Sequence, residues 1–198
     1  MARKSTRDMI IGVAAGLFAT VGLRRTTMEI IAAAAGRGRR TIYMYFSNKA
    51  EIYDAVVDRE IKLITGPLRD IVSSVKGFDA ILHRYGEERS SRLNLLLMRN
   101  PLLHKDFSQG HSRVEKLRER LNREELQILT PVCRMNIVQE NLPGQPSPEE
   151  YAVIFLNMLR GSDRLLTKTN GLNEAIRFSA ISSDLFLRGI VSRRDNQA

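Results

Sequence analysis

Apolar residues recur at intervals of three and four along most of the chain, which is the period of an amphipathic α-helix. In the first segment Ile10, Ala14 and Leu17 share one face, and Gly22 follows as a residue that ends helices. No stretch convincingly alternates apolar and polar residues in the manner of a half-buried strand. The pattern therefore predicts an all-α protein of about nine helices, over residues 5–21, 27–35, 39–46, 48–66, 78–98, 102–107, 112–140, 147–167 and 173–193.

Several of these helices begin at residues that cap a helix N-terminus well. Thr27 suits the N-cap of the second helix, and Asn48 with Glu51 three residues later forms a capping box for the fourth. Ser147 and Pro148 open the eighth helix, since proline is well tolerated in a first helical turn. Two further prolines fall inside helical patterns. We expect the fourth helix to kink or break at residues 66–67 and the seventh to bend near residue 131.

Residues 27–46 hold two short helical patterns separated by a turn that contains two glycines. Small residues at 32–35 allow another helix to cross the first one closely, and Gly36 can adopt the left-handed conformation that ends a helix. In the second helix Ile42 and Phe46, four residues apart, form an inward stripe. Arginine, threonine and tyrosine on its other side can pair with guanine, touch a thymine methyl group and reach phosphate. The outward residues are Arg39, Arg40, Thr41, Tyr43 and Tyr45.

The distribution of charge agrees with a polyanionic partner. The net charge is +9 and the sequence pI is about 10.1. Residues 1–49 hold nine lysines and arginines against two acids, a net +7, whereas the remaining residues hold 22 basic against 20 acidic groups, a net +2. At the N-terminus Arg3, Lys4 and Arg7 can track a minor groove as a basic arm, or form a disordered tail.

The N-terminal residues, with their two short helical patterns, resemble the DNA-binding domain of the tetracycline-repressor (TetR) family. The resemblance covers about the first quarter of the chain and rests on agreement in type and spacing. The matching residues are Ala14, Leu17, Phe18, Gly22, Thr27, Ile31, Ala32, Ala35, Gly36, Thr41, Ile42, Tyr43, Tyr45, Phe46, Lys49 and Ile52. The resemblance implies a three-helix DNA-binding domain with a helix-turn-helix in residues 1–50, and a larger helical domain for ligand binding and dimerisation in residues 51–198.

The same resemblance assigns roles to individual residues. Arg39, Arg40, Thr41 and Tyr43 fall where the family reads bases or contacts the groove edge, and Thr27, Tyr45 and Lys49 fall where it holds phosphates. Three positions depart from the family pattern: an arginine at 37, a glycine at 38 and an arginine at 40. Arg37 and Arg40 add positive charge at the groove, so the preferred base sequence does not carry over from relatives.

For the C-terminal region the resemblance implies a cavity for an unidentified small-molecule effector and a homodimer formed by the last two long helices. Two apolar stripes are compatible with that interface, one through residues 154, 158, 161 and 165 and one through residues 176, 180, 183, 187 and 190. The alternative is that both stripes face the domain's own core. A dimer would read a palindromic operator, from which the effector would release a repressor.

Two other classes of function remain open at this point. A non-specific or architectural DNA-binding protein would bind unrelated duplexes equally, and a plain helical bundle would use the aromatic residues of the second motif as core. An enzyme finds no support, because no zinc-ligand spacing, phosphate loop or nucleophile elbow is present. We therefore expect no catalytic residue, metal site or cofactor. With one cysteine, Cys133, no signal peptide and no apolar run of membrane-spanning length, we expect a cytoplasmic protein without membrane contact.

Overall fold

A computed structural model describes residues 5–109, 112–137 and 145–195 of the chain. Within these ranges the chain forms nine α-helices and one 3₁₀-helix, and no strand. The elements, in chain order, are α1 (Thr6–Thr20), α2 (Met28–Ala34), α3 (Arg39–Tyr45), α4 (Lys49–Ser74), α5 (Phe78–Arg99), α6 (Pro101–Gln109), α7 (Ser112–Asn136), α8 (Pro148–Gly161), the 3₁₀-helix (Asp163–Thr167) and α9 (Gly171–Asp195). The all-α prediction is confirmed. The seventh helix was predicted to reach residue 140, which lies outside the described residues, but α7 already ends at Asn136.

The caps inferred from sequence lie where they were expected. The Thr27 hydroxyl accepts a hydrogen bond from the Ile30 amide at 3.3 Å, which begins α2. The Asn48 side chain accepts from the Glu51 amide at 3.0 Å, while the Glu51 carboxylate accepts from the amide of Ser47 rather than of Asn48. At α8 the Ser147 hydroxyl accepts a hydrogen bond from the Glu150 amide, and the Glu150 carboxylate accepts one from the Ser147 amide, so the capping box is complete. Each cap satisfies backbone donors that the first helical turn leaves unpaired.

Two helix boundaries differ from the prediction by more than five residues. α4 continues through Pro67 to Ser74, because Ile64 and Leu68 on either side of the proline are buried in one core and their packing offsets the lost backbone hydrogen bond. The eighth helix was expected to reach residue 167, but α8 ends at residue 161 and the 3₁₀-helix follows. The Asp163 carboxylate is drawn into the protein interior there, where it pairs with Arg89.

Two clusters of buried apolar side chains hold the helices together. The N-terminal cluster holds together the helices from α1 through α4, and the C-terminal cluster holds together those from α4 through α9. The fully buried members of the N-terminal cluster are Ile10, Ala14, Ile31, Ile42, Phe46 and Ile52. α4 belongs to both clusters, since Val56 packs in the first and Val57 in the second. Burying one such side chain is worth about 1.5–3 kcal/mol.

The last helix packs along α5. A Cβ built on Gly86 of α5 would lie 3.1 Å from the Cβ of Ser179, so the glycine allows a close approach of the two helices. Ser183 is fully buried, and its hydroxyl donates to the Leu82 carbonyl at 3.4 Å. This part of the predicted stripe on α9 therefore faces the chain's own core, because the small residues fit against α5.

Candidate DNA-binding site

The turn between α2 and α3 is built on a left-handed glycine. Gly36 has φ +58°, and the amides of Gly36 and Arg37 donate to the carbonyls of Ala33 and Ala32 at 3.1 and 3.0 Å. These bonds satisfy carbonyls that the end of a helix leaves unpaired. Gly38 is then the N-cap of α3, in extended conformation and without a side-chain hydrogen bond. The helix-turn-helix expected from the sequence is present.

α3 is divided into a buried and an exposed side. Ile42 and Phe46 are 0% and 1% exposed and lie in the N-terminal cluster, as the sequence predicted. Arg40, Tyr43 and Met44 lie on the exposed side, where Met44 is 76% exposed. At 100° per residue, positions 40 and 44 lie nearly opposite the Ile42–Phe46 stripe. A short helix with one anchored face therefore presents a basic and apolar face to solvent.

Arg39 interacts with two neighbours on this surface. Its guanidinium lies 3.0 Å from the Glu29 carboxylate of α2 and 5.5 Å from the centre of the Tyr43 ring. A hydrogen bond with Tyr43, followed by attraction from Glu29, raises the pKa of Arg39. Arg39 and Tyr43 thus orient each other at the start of α3.

Lys49 is half-buried and acts inside the fold. Its Nζ donates to the carbonyl oxygens of Leu23 and Thr26 at 2.8 and 2.7 Å. Thr26 is itself fully buried, and its hydroxyl donates to the Gly22 carbonyl at 2.8 Å. Lys49 therefore attaches the start of α4 to the loop between α1 and α2. Sequence reasoning missed this contact, because the acceptors are backbone atoms, which no residue type signals.

The other residues of the predicted site lie on or near this surface. Thr27, Arg37, Arg40 and Tyr45 are exposed, and Thr41 is half-buried. Arg7 lies against the N-terminal cluster, with its guanidinium 5.0 Å from the centre of the Phe46 ring. The other two basic residues of the arm, Arg3 and Lys4, lie outside the described residues. Met44, which the sequence analysis did not select, lies at the centre of the exposed face.

Elsewhere, the described residues offer neither a metal site nor a membrane-spanning helix. Among those residues no group of three or more histidine, cysteine, aspartate or glutamate side chains could hold a metal ion. Burial raises the pKa of the fully buried Cys133 thiol to about 12. No described helix combines the length and apolarity that a membrane crossing requires.

Comparison with known proteins agrees with this geometry. Residues 10–56 match the family model of bacterial regulatory proteins of the tetR family. The HTH-type transcriptional repressor KstR2 of Rhodococcus jostii is 35% identical over 72 residues, which cover 36% of this chain and 35% of KstR2. KstR2 of Mycobacterium tuberculosis is 30% identical over 95 residues, with 42% of this chain and 48% of KstR2 covered. The matches span less than half the length of these relatives.

Solved structures extend the similarity to most of the chain. A transcriptional regulator from Cytophaga hutchinsonii aligns with a TM-score of 0.68 at 23% identity, covering 92% of this chain and 97% of the regulator. SmeT, the repressor of the multidrug efflux pump SmeDEF of Stenotrophomonas maltophilia, aligns with a TM-score of 0.67 at 20% identity, covering 94% and 90%. At such identities the likeness establishes the fold. The match to the tetR family of bacterial regulatory proteins rests on residues 10–56, which contain the helix-turn-helix.

Proposed function

We propose that the chain is a sequence-specific DNA-binding transcriptional regulator, and specifically a repressor that a small-molecule effector releases from its operator. The observation that carries the proposal is the division of α3, which buries Ile42 and Phe46 and exposes Arg40, Tyr43 and Met44. Such a helix fits a major groove with its exposed face towards the base edges. The net charge of +7 in residues 1–49 supports attraction to the phosphates.

Within this proposal the exposed face of α3 reads the bases. Arg40 pairs with guanine, Thr41 contacts a thymine methyl group, and Arg39 and Tyr43 contact the groove edge as a mutually oriented pair. Met44 adds an apolar contact suited to thymine methyl groups, because it projects from the middle of the face. These contacts fix which bases the protein prefers.

Phosphate contacts come from the residues around the helix. Thr27 at the start of α2, Arg37 in the turn and Tyr45 at the end of α3 are exposed and provide donors to phosphate. Lys49 already uses two of its three N–H donors on the carbonyls of the α1–α2 loop. Its principal role in this proposal is to hold that loop in place, with the remaining donor directed to phosphate.

We further propose a homodimer formed through α8 and α9. Exposed apolar side chains favour this arrangement, since contiguous apolar surface is a mark of an interface. They are Val153 and Ile154 on α8, and Phe178, Ile181 and Leu185 on α9. Positions 178, 181 and 185 follow helical spacing and form one face of α9. Two copies related by a two-fold axis would place two α3 helices on the half-sites of a palindrome, about 34–36 Å apart.

We assign the two functions to the two parts of the chain that the buried clusters hold together. Residues 1–50 bind DNA, and residues 51–198 bind the effector and dimerise, with α4 as the element common to both clusters. An effector that binds the C-terminal helices would change the spacing of the two DNA-binding heads and so lower the affinity for the operator. The place of action is the cytoplasm, where the operator DNA is.

The experiment is selection of bound duplexes from genomic DNA, followed by titration of the selected duplex. Arg40→Ala should weaken binding about 5–100-fold and relax the preference at one base pair. Arg84→Ala, which removes an exposed arginine from α5, is the matched control and should bind as the wild type does. Affinity should fall steeply with salt. Equal affinity for selected and unrelated duplexes would instead indicate a non-specific DNA-binding protein.

A further inference from the structure

A cleft with a cavity volume of about 90 Å³ lies between the DNA-binding helices and the C-terminal helices. Ala15, Phe18 and Ala19 of α1 form one wall. The rest of the lining comes from α4 to α7 and includes Val57 and Leu103. Its mainly apolar lining, with few polar groups, is of the kind that small-molecule sites have. The cleft is separate from the surface that faces DNA.

One carboxylate interrupts the apolar lining that the described residues form. Glu60 of α4 lines the cleft, and its side chain is 15% exposed. Its ion-pair partner is Arg99, whose Nη2 lies 3.4 Å from the Glu60 Oε2. The Arg99 side chain is 54% exposed, and its Nε donates to the Leu95 carbonyl at 3.1 Å. Such a long contact to a solvated guanidinium neutralises the carboxylate weakly.

Two further polar side chains line the cleft. Asn100 donates from Nδ2 to the Leu96 carbonyl at 2.9 Å, so its amide nitrogen is engaged by the backbone. Tyr53 packs edge-on against Phe18, with ring centroids 5.7 Å apart. Neither side chain carries a charge, so among the described lining residues Glu60 sets the electrostatic character. A negative charge in apolar surroundings favours a cationic guest and disfavours an anionic one.

We propose that this cleft binds a small, mainly apolar molecule with one cationic group, its apolar body between α1 and α6 and its cation on Glu60. The apolar body gains from leaving water against Phe18 and Leu103. The cation gains a charge-assisted contact with a carboxylate that is already mostly removed from solvent. A molecule that ends in a carboxylate would place two negative charges together.

An occupant of this cleft touches the DNA-binding domain directly. α1 lines the cleft with Ala15 and Ala19, and contributes Ile10 and Ala14 to the cluster that anchors Ile42 of α3. Binding is therefore sensitive to how α1 is placed against α6, and the affinities for the molecule and for DNA are linked reciprocally. This regulatory part rests on the proposed DNA-binding function, whereas occupation of the cleft does not.

The test titrates the full chain with three probes of equal chain length, decyltrimethylammonium, decanol and decanoate, each below its micelle concentration. We expect the ammonium probe to bind most tightly and decanoate least tightly. Glu60→Gln should weaken the ammonium probe about tenfold, to the level of decanol. Ala15→Leu, which fills the cleft, should weaken all three. Leu63→Ala, in a separate cleft that Ile11 and Lys62 line, should leave all three unchanged.

The outcomes separate this inference from the proposed function. Equal binding of decanoate and the ammonium probe, or an unchanged ammonium affinity in Glu60→Gln, overturns the cation site. A folded Glu60→Gln protein, checked by its thermal melt, is required in either case. If the ammonium probe binds as expected but saturating amounts leave the affinity for the selected duplex unchanged, the regulatory part is overturned alone. If wild type binds no duplex, the proposed function fails while the probe titrations still decide the cleft.

Discussion

Replacement of Arg89 by methionine is expected to destabilise the C-terminal helices strongly. Arg89 is 2% exposed and joins three elements, since it lies on α5 and pairs with Glu125 of α7 and Asp163 of the 3₁₀-helix. Its Nε lies 2.7 Å from Glu125 Oε1, and its two Nη atoms lie 2.5 and 3.1 Å from the two Asp163 oxygens. The Tyr85 hydroxyl also donates to Glu125, at 3.3 Å. Methionine would fill much of the volume but leave two buried carboxylates without a cation.

The magnitude follows from the cost of an uncompensated buried charge. Removing one partner of a buried ion pair costs about 3–5 kcal/mol. For a chain of this length a change of 1 kcal/mol shifts the melting temperature by roughly 2–4 °C, so Arg89→Met should melt about 6–20 °C below wild type. Arg92→Met is the matched control on the same helix. Its pair with Glu88 is partly exposed, and its loss should cost less than about 1 kcal/mol.

The pH dependence of this deficit has a definite sign. Burial raises the pKa of Glu125, and attraction by Arg89 opposes that rise. A carboxyl group whose folded pKa lies above its unfolded value, ordinarily 4.5, binds more protons when folded, so stability falls as pH rises through that window. Without Arg89 the rise is larger, and the deficit should shrink as pH decreases from 7 towards 5.

The assay is thermal and urea unfolding followed by circular dichroism, at one protein concentration because the stability of the proposed dimer would depend on concentration. If Arg89→Met unfolds within 1 kcal/mol of Arg92→Met, the buried network does not stabilise the fold as described. A deficit that stays constant between pH 5 and 7 would refute the account of the carboxylates.

Three further predictions concern single positions. Gly36→Ala should lower the free energy of unfolding by about 1–2 kcal/mol, because φ is +58° and no atom lies within 4 Å of the new Cβ, so backbone strain alone acts. Gly38→Ala is the control, since its Cβ also meets no atom but φ is −65°, and it should cost far less. Equal costs of the two variants in urea unfolding would contradict this. Lys49→Met should increase amide hydrogen exchange in the α1–α2 loop, because it removes the hydrogen bonds to the Leu23 and Thr26 carbonyls. Lys62→Met, at an exposed position of α4, should not, and unchanged exchange in both variants would show that Lys49 does not hold the loop. Cys133 should resist thiol reagents until the protein unfolds, because its thiol is buried and has a pKa of about 12; labelling of the native protein at the rate of a free thiol would contradict that burial.

Local sequence signals predicted most of the helices and the helix-turn-helix. The Thr27 and Asn48 caps, the left-handed Gly36 and the inward pair Ile42 and Phe46 each act within a few residues, so their effects are readable from spacing alone. The same holds for most helix bounds in the described residues.

Contacts between distant residues could not be read in this way. Arg89 pairs with partners 36 and 74 positions away, and no local pattern distinguishes it from a surface arginine. The continuation of α4 through Pro67 depends on burial of Leu68 in a core that other helices complete. The sequence left open whether Ser183 faces a partner or the chain's own core, because its contact surface on α5 is set by tertiary packing.

The central claim is that α3 lies in the major groove, and a DNA-cutting reagent attached next to it tests this most directly. Because Cys133 is buried, Ser47→Cys provides one reactive thiol for an iron chelate at the exposed end of α3, and Arg84→Cys provides a control on α5. We expect two groups of strand cuts, one in each half-site of the selected duplex, for the Ser47 position and none for the Arg84 position. Absence of cuts from the Ser47 position on a bound duplex, or equal cutting from both positions, would contradict it.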